Sequence, residues 1–234
     1  MIKATISTYA SGEKYISGLL PSQIRIVGVP GHGTRQYTDG KCAPDKSYFE
    51  GEWARIMVPK ILTAFEEMGF KTTNLIPGPE DVNIHTRAAM ANKLMAEHPD
   101  EYLVYLAIHS NAVNEDSEPA KSHGGWDEKA CGFVVYAARD ASTESEILAR
   151  NVYDAAYAMG RRGNRSIPAE RFWRANWVEI HETKMPAILT ESDFHTNHKS
   201  IEYLMSEKGQ DELVSIHVAG VCKTFGIPYS ICKG

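Results

Sequence analysis

Two histidines and two carboxylates stand where apolar runs of this chain give way to loops. His32 lies in Pro30-Gly31-His32-Gly33, His109 in Ile108-His109-Ser110-Asn111-Ala112, and Glu191 in Thr190-Glu191-Ser192-Asp193-Phe194. Glu50 opens the helical run that follows the first loop. Imidazole and carboxylate are the donors of catalytic zinc sites, which use three protein ligands and keep a fourth position for water. The metal lowers the pKa of that water towards about 7 and polarises a carbonyl. A further carboxylate outside the ligand set can take the water's proton and hand it to a leaving nitrogen. No one of these residues carries the argument alone, since a histidine or a strand-end glutamate is commonly a solvated or hydrogen-bonded side chain. Their joint placement does.

That placement depends on the elements between them. Residues 24–29 form a β-branched run stopped by Pro30-Gly31, and predict a strand. Residues 50–68 carry an apolar stripe of 3.6-residue period (Trp53, Ile56, Met57, Ile61, Leu62, Phe65, Met68) and predict a helix, with Gly69 as its stop. Pro59 predicts a kink or break within it. A short strand is expected over 71–76, then a helix capped by Asn83 and reaching about Glu97. Residues 102–108 are the clearest buried strand, and a long polar loop runs from Ser110 to about Lys129. A strand over 132–137 precedes a helix in which Thr143 and Glu146 have capping-box spacing and which ends at Gly160. Residues 161–176 read as irregular, 177–180 and 187–190 as strands, and 210–225 as a last helix. Strands alternating with helices predict an α/β fold with a largely parallel sheet. In such sheets ligands gather beyond the carboxyl ends of the strands, which brings His32, His109 and Glu191 to one rim.

Composition narrows the function. The chain has 234 residues, 43% of them hydrophobic, enough for a sizeable core in one domain. No apolar stretch is long enough for a membrane span. The first twenty residues contain Lys3 but no continuous apolar run, a poor match to a signal peptide. The formal charge of −5 gives no basic footprint for nucleic acid. Arg161, Arg162 and Arg165 read as a solvated loop cluster. Of the four cysteines, none forms a CxxC pair. Cys131 reads as a buried thiol in a strand, and Cys222 and Cys232 either pair or stay reduced.

At the same residues the chain resembles the zinc amidases of the N-acetylmuramoyl-L-alanine amidase type 3 family. The matching stretches are Val29-Pro-Gly-His-Gly-Thr34, Phe49-Glu-Gly-Glu-Trp-Ala-Arg55, Ile108-His-Ser-Asn-Ala112 and the run from Met185-Pro186-Ala187 through Glu191 to Asn197. Their order and gaps agree, over roughly residues 24–226. The resemblance implies zinc (Zn2+) ligands His32, Glu50 and His109, and Glu191 as catalytic glutamate. It implies a twisted, mostly parallel sheet of about six strands with helices on both faces. It also implies bacterial peptidoglycan as partner, with action at the cell wall in the periplasm or outside the cell. The bond cut would be the amide between N-acetylmuramic acid and L-alanine.

On this reading residues 1–234 are one catalytic domain, with 1–23 an N-terminal extension. Arg87 and Asn92 match a family Arg…Asn pair and read as structural supports. Asn111, His181 and His195 are candidate oxyanion donors. Asn111 and Trp126 are candidate substrate contacts, although Trp126 is equally suited to packing its loop. His195, His198 and Cys42 are the weaker ligand candidates. The chain departs from the family's common residues at Val29 (Asp), Ala54 (Asn) and Ser192-Asp193 (Thr-Gly), and Glu52 lies close enough to Glu50 to be confused with it. The rival readings are a zinc peptidase acting on the stem peptide and a wall-binding domain without activity.

Overall fold

A computed structural model describes residue 2 and residues 4–229. It contains a six-stranded sheet in the order β4-β3-β5-β8-β6-β7. In chain order these are β3 (Ile24–Pro30), β4 (Lys71–Asn74), β5 (Tyr102–Asn111), β6 (Val134–Ala137), β7 (Trp173–Arg174) and β8 (Ala187–Phe194). All pairs are parallel except β6 with β8. The expected mostly parallel α/β sheet of about six strands is therefore the observed one.

Both faces are covered, and β5 shows how its sequence requires this. Val104, Leu106 and Ile108 enter one apolar cluster with α1 (Glu50–Glu67), α3 (Thr143–Ala158) and α6 (Glu207–Phe225). Leu103, Tyr105 and Ala107 enter the other, with α2 (Ile84–Glu97) and α4 (Val178–His181). Alternate residues of a strand point to opposite faces, so a continuous apolar run is stable only between two layers of helix.

Several elements differ from their sequence reading. Helix α1 runs unbroken through Pro59, which is solvent-exposed. Asn83 caps α2 as expected, accepting from the His85 N–H. Helix α3 is capped by Ser142 rather than Thr143: the Ser142 hydroxyl accepts from the Ser145 N–H. The 132–137 strand starts at Val134, so Cys131 lies outside it and is only half-buried. The "irregular" 161–176 stretch contains the short edge strand β7. Residues 177–180 are not a strand but the start of the one-turn helix α4, in which the Ile180 and His181 amides donate to the Trp177 carbonyl. Four residues are too few for periodicity to separate the two. Helix α5 (His198–Met205) has no counterpart in the sequence reading, and α6 begins three residues before the expected 210.

The arginine cluster is not simply solvated. Arg161 pairs with the buried Asp193 and lies 3.6 Å over the Tyr203 ring, while Arg165 lies over Phe194. Cys222 is buried in α6; its candidate partner Cys232 lies outside the described residues.

Residues 5–17 form a hairpin, β1 (Thr5–Thr8) with β2 (Lys14–Ser17). Ile16 and Leu19 sit in the larger core cluster, the Tyr9 hydroxyl donates to the Lys223 carbonyl, and Glu13 pairs with Lys223. The hairpin is thus packed against α6 rather than trailing from the domain.

Candidate active site

A cleft of about 820 Å³ opens at the carboxyl ends of β3, β5 and β8. His32, Glu50, His109, Asn111, Glu191 and His195 all line it. Two neighbouring strands fix its centre: His109 of β5 and Glu191 of β8 are direct partners in the parallel ladder. Just beyond them the register shifts, between His109 and Asn111.

Each of the three candidate ligands arrives by a different route. His32 follows β3 in a loop with backbone φ of 51°. Arg55 ties that loop to α1: its guanidinium donates to the carbonyls of His32, Gly51, Gly78 and Glu80 at 2.6–3.0 Å. Glycine is required where this loop meets its neighbours. A Cβ at Gly51 would lie 1.8 Å from the Gly33 carbonyl oxygen, and one at Gly31 would lie 2.5 Å from the His109 ring. Glu50 is the first residue of α1 and is buried. A carboxylate there is favoured by the positive end of the helix dipole. Its Oε1 is 2.8 Å from His109 Nδ1 and accepts from the Ser110 N–H at 3.2 Å, while Oε2 is 3.6 Å from His32 Nε2. Glu52 instead pairs with Arg35 at the surface, which separates the two neighbouring glutamates.

The donor atoms of His32, Glu50 and His109 lie within 4.8 Å of one another, so the three could hold a metal ion. His32 and Glu50 are in the protonation states that a metal ligand needs, while His109 would give up a proton to the ion. Burial lowers the His32 pKa to about 4, which keeps its imidazole neutral with a lone pair available. Burial alone would raise the Glu50 pKa, but the hydrogen bond and charge of His109 outweigh it and hold the carboxylate down at about 2. Burial also opposes a charged His109, yet Glu179 and Glu50 on either side of the ring raise its pKa to about 10.

Glu191 contrasts with Glu50. Burial, reinforced by the charge of Glu50, pushes its pKa up to about 8 against the pull of His109. Its Oε2 is sealed from solvent and has no hydrogen-bond partner.

The chain matches the family model for N-acetylmuramoyl-L-alanine amidase (Amidase_3) over residues 26–223. It belongs to that family. A search of curated proteins finds no match. Among solved structures, the N-acetylmuramoyl-L-alanine amidase from Clostridium difficile 630 aligns at TM-score 0.69 and 21% identity, covering 86% of this chain and 95% of that one. The catalytic domain of CwlV, the amidase of Bacillus (Paenibacillus) polymyxa var. colistinus, aligns at TM-score 0.68 and 18% identity, covering 87% and 99%. Ami1 from Mycobacterium smegmatis aligns at TM-score 0.70 and 16% identity, covering 87% and 97%. At these identities the likeness shows the shared fold of this amidase.

The remaining candidates sort by position. His195 lines the cleft, with Nδ1 3.0 Å from the Ser110 hydroxyl, which accepts from the Tyr48 hydroxyl at 2.8 Å. Asn111 lines it too, and its Nδ2 has no partner. His181 pairs with Asp140 on the surface, away from the cleft lining. Trp126 stacks on His198 at 3.6 Å and packs against the larger core cluster. Cys42 borders the cleft but stands outside the three-residue donor group. Arg87 is buried and donates to the Val82 and Pro30 carbonyls, and Asn92 bonds the backbone at Glu182 and Lys184.

Sequence reading passed over Arg55, Tyr48, Ser110 and Glu179. Arg55 falls inside a matching stretch, so its type was visible though its task was not. Of the two departures at the end of β8, Asp193, which stands where the family commonly has Gly, has φ of 131°, a conformation that favours glycine. It is held there by its own side chain, which accepts from the Gly132 and Phe194 amides and the Ser200 hydroxyl and pairs with Arg161.

Proposed function

We propose that this amidase hydrolyses the bond between the lactyl group of N-acetylmuramic acid and L-alanine in bacterial peptidoglycan, using one zinc ion. The observation that carries the reading is the convergence of His32, Glu50 and His109, with Glu191 beside His109 on the next strand, in one open cleft. Two imidazoles with one carboxylate suit zinc. His32, Glu50 and His109 would hold it, and when bound it supplies a Lewis acid that polarises the scissile carbonyl and acidifies a water.

The chain's own residues do the rest. Glu191 accepts a proton from the attacking water as the new C–O bond forms. It then delivers that proton to the L-alanine nitrogen as the C–N bond breaks, so each turnover returns it to its starting state. An unpartnered oxygen in a site that disfavours the anion keeps its proton affinity high, as the donor half of that cycle needs. His195, its ring held by Ser110 and Tyr48, and Asn111 supply hydrogen-bond donors for the oxygen of the tetrahedral intermediate or for the stem peptide. Trp126 acts through its stacked contact with His198, which anchors the 110–129 loop beside the cleft. The enzyme acts at the cell wall; no helix among the described residues is long and apolar enough to cross a membrane.

The test is clearing of purified peptidoglycan, with and without chelator, with product analysis. New L-alanine amino ends, lost on chelation and restored by zinc, support the reading. Released D-alanine would make the enzyme a stem peptidase instead. No bound metal and no clearing of several wall types would overturn catalysis altogether.

A further inference from the structure

We infer that Glu179 is a positioning residue for the metal centre: it receives the Nε2–H of His109 and so fixes the tautomer and angle in which His109 presents Nδ1. This rests on His109 being a ligand, as proposed above. The ring has two nitrogens with distinct surroundings. Nδ1 faces Glu50 Oε1 at 2.8 Å, inside the candidate donor group. Nε2 is buried, lacks a partner at normal hydrogen-bond distance, and has Glu179 Oε2 3.5 Å away. A histidine that binds metal through Nδ1 must carry its proton on Nε2, and a buried N–H needs an acceptor.

Glu179 is itself held in place. Both side-chain hydrogen bonds to it arrive at Oε1, from the Tyr105 hydroxyl at 2.8 Å and from Arg87 Nη1 at 3.4 Å. Oε2 is thereby left turned towards His109. The same Arg87 nitrogen donates to the Pro30 carbonyl at 2.8 Å, two residues before His32. One buried network thus braces the supports of both histidines. A buried carboxylate is costly unless paired, and Arg87, Tyr105 and His109 are what make this one tolerable. Outer partners of this kind are worth about 10- to 100-fold in metal affinity.

The experiment measures zinc affinity by competition with a chromophoric chelator, in full-length wild type, Glu179→Leu, Glu179→Gln and Tyr105→Phe. Far-UV circular dichroism and thermal melting of the metal-free proteins run alongside. The expected result is a loss of about 10- to 100-fold for Glu179→Leu. Glu179→Gln, whose amide oxygen can still accept the Nε2–H, should lose less, and Tyr105→Phe should shift affinity in the same direction. The visible spectrum of the cobalt-loaded protein should change with them. Unchanged affinity and cobalt spectrum in folded variants, with only melting affected, would make Glu179 a packing residue and overturn the inference. If Glu179→Leu does not fold, Glu179→Gln and Tyr105→Phe decide the matter by the same readouts. Wild type that binds no zinc would instead defeat the metal-site reading itself, which is a separate result.

Discussion

Glu50 and Glu191 face the same cleft, yet their surroundings push them apart. Glu50 is tied to His109 and the Ser110 amide, faces His32, and has its pKa held at about 2. Glu191 has one oxygen without any partner, and burial lifts its pKa to about 8. One carboxylate stays an anion, as a metal ligand must; the other is free to gain and lose a proton. Titratable groups driven in opposite directions by their environments commonly mark a division of catalytic labour.

The sharpest break of that contrast is chelation. It should abolish wall clearing, and added zinc should restore it, while metal-free enzyme keeps its circular dichroism. Next, Glu191→Gln should lower the clearing rate by about 10²- to 10⁴-fold while still holding one zinc, read by elemental analysis. Glu50→Gln should also lose activity, but through its metal. Excess zinc should recover part of it, and zinc should recover none in Glu191→Gln. If Glu50→Gln keeps its zinc and Glu191→Gln loses it, the roles are reversed.

The pH profile sharpens the same comparison. Glu191 must be ionised to accept the water's proton, and burial raises its pKa, so activity should be lost as pH falls at a higher pH than an ordinary glutamate's 4.5 would give. An acid limb at or below 4.5 would count against Glu191 as the base.

The smallest effect concerns stability. Asp193→Ala removes the acceptor of two amides, a hydroxyl and Arg161 while keeping a non-glycine residue at φ of 131°. It should destabilise by about 2–4 kcal/mol in denaturant melts. Asp193→Gly, which relieves the backbone, should cost about 1 kcal/mol less. Equal losses would mean the backbone is unstrained there.

The contrast also shows what a sequence can display. His32, His109 and Glu191 were legible because each follows a recognisable apolar strand, and parallel sheets gather such ends. Glu50 was legible from the helix it opens, although telling it from Glu52 takes its burial and the pairing of Glu52 with Arg35. Glu179 was invisible because its meaning depends on where a one-turn helix lands. That helix reads equally well as a strand, and its contact with His109 spans seventy residues. Asp193 looked like a departure from a glycine position; its compensation comes from partners as distant in sequence as Gly132 and Arg161. Local pattern reports elements, and long-range side-chain pairing escapes it.

The pairing of His109 with Glu191 across adjacent strands has one more consequence. Their separation is set by the spacing of hydrogen-bonded strands, about 4.8 Å, and owes nothing to loop length. Insertions or deletions in the 112–130 segment, or ahead of α1, would reshape what the cleft admits and leave this distance untouched. The scaffold thereby lets the cleft's admission drift while the His109–Glu191 pair stays at a constant gauge.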